Sequence, residues 1–254
     1  MYKIVIPSYK RPKILFEKTL KLLQRLNVDS ATIDIIVETE EMRKEYLDYL
    51  PFNFNIIVSN TNGIKGKRNF IRKYYQEETD EDYLLCIDDD IDELYDMDTP
   101  ITTTDFNEAV ETGFVECEKK GYTMWGVSPF HNTFYLKNLV SYNLKYICGA
   151  FFGLIIDRKY DPLQTTFNHY EDFCFTCKHF LRDDGVVRLN WIAIKTKYFN
   201  PKGGITEWYG GKEERKKAQE KDALTFTEIY PKMARIIDKK YGKDIRLNPR
   251  FKSC

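Results

Sequence analysis

The chain has 254 residues, is 43% hydrophobic and 15% aromatic, and carries a formal net charge of +0. That apolar content supports a full core and excludes a disordered chain. No apolar stretch is long enough to span a bilayer, so a membrane partner is not expected.

The charge is unevenly placed. No Lys or Arg occurs between Glu77 and Glu118, whereas bases outnumber acids about two to one between Lys212 and Lys252. An acidic middle suits cation binding, and a basic tail suits a solvated helix face or a polyanion such as DNA. The cysteines, at 86, 117, 148, 174, 177 and 254, form no tight framework. Cys174-x-x-Cys177 has no second CxxC, so a zinc ribbon is excluded and a reduced, cytosolic protein is the default.

In chain order, Tyr2 to Pro7 reads as a first core strand. Pro12 suits the start of a helix whose periodicity runs through Leu15, Thr19, Leu22, Leu23 and Leu26. Ile33 to Val37 is a second strand, followed by a helix with Thr39 as N-cap. Asn55 to Val58 is a third, and a basic helix starts near Gly66. Leu84 to Ile87 is the fourth strand and ends in Asp88-Asp89-Asp90. This alternation predicts a parallel sheet with covering helices. The second half is less regular: a helix from Thr104 to Lys120, strands at Tyr122–Val127, Leu144–Cys148, Phe151–Ile156 and Asn190–Thr196, and a helix from His169 to Arg182. Residues 200–204 and Gly210-Gly211 are loop signals. Glu213 to about Tyr241 reads as a long helix interrupted near Pro231. One domain over 1–254 is expected, with a nucleotide-binding half (1–100), an acceptor-side half (101–211) and a basic helical segment (212–254).

Ligands of parallel α/β sheets bind outside the carboxyl ends of the strands, so the strand-exit loops carry the candidate site. They supply Pro7, Ser8, Tyr9 and Arg11, then Glu38, then Gly63 to Asn69, then the aspartates. Tyr9 is placed to stack, and Glu38 to accept hydrogen bonds from a base or ribose. Gly63, Lys67, Arg68 and Asn69 open a cationic helix N-terminus, an anion site. Adjacent acids repel unless a cation compensates them, and Mg²⁺ or Mn²⁺ bridges carboxylates to phosphate. A metal-assisted reaction on a diphosphate follows.

Four segments carry a resemblance. Ile6-Pro7-Ser8-Tyr9-Lys10-Arg11, the Gly63…Lys67-Arg68-Asn69 segment and Leu84–Asp90, followed by His169-Tyr170-Glu171-Asp172, resemble in order and spacing the motifs of GT-A glycosyltransferases. More narrowly, the short chain and its IPSYKRP start look like phage-type enzymes that glycosylate hydroxymethylated pyrimidines in DNA. The resemblance implies a GT-A, Rossmann-like α/β fold: a mostly parallel central sheet flanked by helices, a smaller mixed acceptor-side half and a C-terminal helical segment.

It further implies Mn²⁺ or Mg²⁺ on Asp88 and Asp90, and a nucleotide sugar, UDP-linked, held by the exit loops and Asp89. Asp172 or Glu171 would be the base for the acceptor hydroxyl. The implied acceptor is modified DNA, with no obligate protein partner, in the cytoplasm (the host's if phage-encoded). His169 is the candidate third metal ligand, Lys202-Gly203-Gly204 with Trp208 a lid, and Trp125, Phe130, Tyr135, Phe151 and Phe152 candidate platforms for a sugar or base. Alternatives are a glycan, lipid or protein acceptor, nucleotidyl transfer (disfavoured by the lack of glycine after the first strand) and a non-enzymatic cation-binding module.

Overall fold

The computed structural model describes residues 1–51, 54–196, 208–239 and 242–253. Its first half alternates as expected: β1 (Lys3–Pro7), α1 (residues 12–25), β2 (Ile33–Val37), α2 (Glu40–Tyr49), β3 (Asn55–Val58), α3 (Gly63–Glu77) and β4 (Tyr83–Ile87). β1 pairs in parallel with both β2 and β4, and β2 pairs in parallel with β3. These strands are runs of Ile, Val and Leu because both faces are covered; every residue of β2 is buried. The Thr39 hydroxyl caps α2, accepting from the Met42 N–H at 3.3 Å. Within α1, Phe16–Leu20 form a π-helical turn. Its fully buried Thr19 donates to the Asp88 carbonyl (2.7 Å) and accepts from the Ile91 N–H (3.0 Å), pinning the loop that carries the aspartates.

The second half adds β5 (Ile91–Asp96), β6 (Thr99–Pro100), α4 (Thr103–Lys120), β7 (Met124–Ser128), β8 (Val140–Ser141), β9 (Phe151–Ile155), α5 (Glu171–Asp183) and β10 (Val187–Thr196). β9 inserts antiparallel between β4 and β7, and β10 runs parallel to β7 and antiparallel to β5. Among the described residues the sheet order is β3-β2-β1-β4-β9-β7-β10-β5-β6, with β8 on β10. At its centre the fully buried Trp125 lies across Gly153, where a Cβ would come within 1.9 Å of the indole nitrogen.

Two expected elements differ. No strand forms over 144–148. That backbone is satisfied by side chains: the Ile147 N–H donates to Thr176 Oγ1 (3.2 Å), and Arg188 donates to the Tyr146 carbonyl (3.3 Å). The C-terminal helix α6 (Lys212–Ile229) ends two residues before Pro231, whose ring disfavours helix in the residue before it. Beyond it lies a hairpin, β11 (Ala234–Lys239) antiparallel to β12 (Gly242–Leu247), instead of helix to Tyr241. Both strands pack on α6. No helix among the described residues is long and apolar enough to cross a membrane.

Candidate active site

The carboxyl ends of β1, β2 and β4 open into one cavity of about 570 Å³. Beyond the end of β4 the turn at Asp89-Asp90 splits the aspartates. Asp88 and Asp90 lie on the cavity wall, and the Asp88 side chain is 33% exposed. Asp89 is 0% exposed and turns inward: Ser8 and the Arg11 guanidinium donate to its carboxylate, Arg11 Nε at 3.1 Å. Arg11 also reaches Asp90 (3.2 Å), and Arg68 donates to Asp88 (2.6 Å). Tyr46 locks the β1 exit, with its hydroxyl 2.6 Å from Ser8 Oγ and accepting from the Arg11 N–H at 3.0 Å. Asp89 therefore braces the loop, while its neighbours face the ligand space. Burial, reinforced by the adjacent aspartates and opposed by Arg68, raises the Asp88 carboxyl to about 7.

A second corner forms around Glu38. Its Oε1 accepts from the Gly63 N–H (2.8 Å) and from Lys67 (2.7 Å), and the Lys67 ammonium lies 5.1 Å from the Tyr9 ring centre. Gly63 adopts φ +71° beneath Trp208; a Cβ there would meet the indole at 3.1 Å. Trp208 Nε1 donates to Asn62 Oδ1 at 2.6 Å. Pro7, Ser8, Tyr9, Glu38, Gly63 and Lys67 all line the cavity. Arg68 sits behind Asp88, and Asn69 spends its amide on the Thr165 backbone, donating and accepting at 2.9 Å.

At the start of α5, Glu171 and Asp172 line the same cavity. Asp172 Oδ2 accepts from the Tyr146 hydroxyl and the Gly149 N–H (3.1 Å), and Oδ1 accepts from the Phe173 N–H (2.9 Å). Three donors favour its charged form. Glu171 is raised to about 8 by burial and by the neighbouring Asp172 charge. Burial raises the Asp172 carboxyl as well, against the pull of these three donors.

The donor set fits a hard divalent ion. Among the described residues no group of three or more His, Cys, Asp or Glu side chains is placed to hold a metal. Asp88 and Asp90 nonetheless line the cavity with carboxylate oxygen, and Mg²⁺ or Mn²⁺ is commonly held by one or two carboxylates, with phosphate and water completing the shell. His169 is buried on the cavity wall, stacked on Tyr209 at 4.6 Å, with Nδ1 3.7 Å from Asp222.

The far wall was not legible in the sequence. Arg215 and Gln219 come from α6, and Lys239, Asp244 and Ile245 from the hairpin. Tyr146 and Gly149, which fix Asp172, lie within or beside the segment read as a strand. Of the candidate platforms, Phe130 lines the cavity and Tyr135 is exposed, whereas Trp125, Phe151 and Phe152 belong to the core. Residues 202–204 of the expected lid lie outside the described residues.

No family model matches the chain, and no curated protein matches it in sequence. Solved structures do match. A mannosyltransferase from Pyrobaculum calidifontis, in complex with GDP-Man and Mn²⁺, superposes with a TM-score of 0.55 at 11% identity, over 89% of this chain and 64% of that one. The fold is GT-A. A mycobacterial protein matches this GT-A chain with a TM-score of 0.50 at 9% identity, over 98% of this chain and 84% of that one. S. aureus TarS, residues 1–349, matches at 0.47 and 13% identity, over 89% and 65%. The GT-A chain thus spans less than two thirds of the mannosyltransferase and of the TarS fragment.

Proposed function

We propose that the protein is a metal-dependent glycosyltransferase that moves a sugar from a nucleoside diphosphate sugar to an acceptor hydroxyl. One observation carries this reading: Asp88 and Asp90 share a single cavity with a second acid pair, Glu171 and Asp172, the latter fixed by Tyr146 and Gly149. Asp88 and Asp90 would hold Mn²⁺ or Mg²⁺, which when bound stabilises the negative charge of the departing diphosphate.

The chain's own residues divide the remaining work. Glu38, the Gly63 turn and Tyr9 form the corner for the nucleoside, and UDP is the nucleotide we assign. Asp172, fixed by Tyr146 and Gly149, takes the proton of the acceptor hydroxyl in a reaction that inverts the anomeric centre. Glu171 stays protonated and adds no charge beside it.

For the acceptor we favour a hydroxymethylated pyrimidine in DNA over a glycan, lipid or protein. The described residues of 232–253 carry Lys232, Arg235, Lys239, Lys243, Arg246, Arg250 and Lys252, all exposed, against only Asp238 and Asp244. This basic hairpin reaches the cavity through Lys239, so a polyanion bound along it is delivered to Asp172. The buried free cysteines suit a reducing, cytoplasmic setting.

The test is label transfer from nucleotide sugars, with Mn²⁺, to DNA containing 5-hydroxymethylcytosine or 5-hydroxymethyluracil and to neutral glycans. Transfer to DNA that is lost in Asp172→Asn is expected. Transfer only to glycans would replace the acceptor and keep the enzyme, and the absence of any transfer or donor hydrolysis would end the reading.

A further inference from the structure

Behind the sheet, where α3 faces α5, three buried nitrogens have no hydrogen-bond partner among the described residues: Arg72 Nε, Arg72 Nη2 and His179 Nε2. They belong to residues that line one small hole of about 20 Å³, edged by Gln76, Asp157 and Arg182. This hole is separate from the active-site cavity, and the glycosyl-transfer reading leaves its residues without a role.

Arg72 is 4% exposed. Its guanidinium lies 3.3 Å from the Phe175 ring centre, and its Nη1 reaches only the Arg68 carbonyl, at 3.5 Å. Burial lowers it to about 9, so it is a cation at neutral pH. A buried charge is costly unless paired. Among the described residues no hydrogen bond or ion pair joins Arg72 to Asp157, whose Oδ1 accepts from the Lys159 N–H at 2.9 Å, or to Asp183, which is paired with Arg182 at 2.6 Å.

His179 Nδ1 stands 2.7 Å from Thr123 Oγ1 and 3.3 Å from Arg182 Nη2. The Thr123 hydroxyl donates to Asp183, so Nδ1 of the neutral ring donates to Thr123 and Nε2 is an acceptor. The partnerless donors are therefore the two Arg72 nitrogens, beside a hole large enough for one small occupant. A water would satisfy hydrogen bonds there and leave the Arg72 charge uncompensated; an anion does both.

We propose that this hole is a seat for one small inorganic anion of halide size, held by Arg72. Arg72 follows Arg68 by one turn of α3, so a filled seat fixes the turn whose guanidinium holds Asp88.

Two measurements on the intact protein test the seat. The first is thermal unfolding in sodium chloride or bromide against sodium gluconate at equal ionic strength. A saturable rise of a few degrees in Tm with halide, absent in Arg72→Met, is expected; equal curves in halide and gluconate would overturn the proposal. The second needs no variant. A wild-type crystal soaked in bromide should show an anomalous peak within hydrogen-bonding distance of Arg72, whereas a water there with no anomalous signal would also overturn it.

Discussion

Arg68 and Asp172 grip the two ends of one residue: the guanidinium donates to the Gly149 carbonyl at 2.6 Å, and the carboxylate accepts from the Gly149 N–H at 3.1 Å. Arg68 also holds Asp88 at 2.6 Å. A chain of contacts therefore runs from Asp88, the proposed metal ligand, to the proposed base through a single glycine. A Cβ on Gly149 would sit 3.2 Å from Asp172 Cβ and 3.5 Å from Arg68 Nη2.

Gly149→Ala should therefore disturb both ends together. Displacements well under 1 Å at reacting groups cost about tenfold or more in rate. We expect kcat to fall by roughly 10–100-fold and Mn²⁺ affinity, measured by calorimetry without donor, to weaken in the same variant. A fall in kcat with unchanged Mn²⁺ affinity would show that the two ends are not coupled through this residue.

The three aspartates should separate by phenotype. Asp89 is buried against Ser8 and Arg11, so Asp89→Asn leaves part of a buried charge network unmatched and should cost about 3–5 kcal/mol of stability. Asp90 is partly exposed, and Asp90→Asn should cost about 1 kcal/mol or less while abolishing metal-dependent donor binding. Chemical denaturation read alongside donor calorimetry checks both, and equal stability losses would contradict the division of roles.

Glu171 makes stability depend on pH in a defined direction. Its carboxyl rises from 4.5 to about 8 in the folded protein, so between those values the folded state keeps a proton that the unfolded state has lost. Stability from this group therefore falls as pH rises from about 4.5 towards 8. Every tenfold gain in proton affinity on folding corresponds to about 1.4 kcal/mol, and relaxation of the buried site reduces the total. Glu171→Gln should match wild type near pH 4 and exceed it by roughly 1–3 kcal/mol at pH 8 in urea unfolding. A difference that does not change with pH would show that Glu171 is charged when folded.

His179 acts in the opposite sense. Burial lowers it to about 4, so its contribution is complete above about 6.5 and is lost as pH falls through 4. His179→Gln should flatten the acid side of the stability profile, measured by thermal unfolding between these values.

The sheet and most of the site were legible because their signals are local. β1 to β4 are short β-branched or leucine-rich runs, and Asp88-Asp89-Asp90 announces itself at the end of one. The sequence did not separate Asp89, which Ser8 and Arg11 hold, from its neighbours. The hairpin was hidden because Ile236, Ile237, Ile245 and Leu247 lie among lysines and arginines that continue the composition of α6. Gly149 and Tyr146 were missed for another reason: Leu144–Cys148 is apolar enough for a strand, and only long-range partners, Thr176 and Arg188, give its backbone a different role.

The most direct test of the central claim is titration calorimetry of the protein with UDP and UDP-sugars, with and without Mn²⁺, beside the Asp88→Asn/Asp90→Asn double variant. The account expects tight donor binding only when metal is present and its loss in the double variant. Donor binding that is unaffected by metal and unchanged in that variant would contradict it.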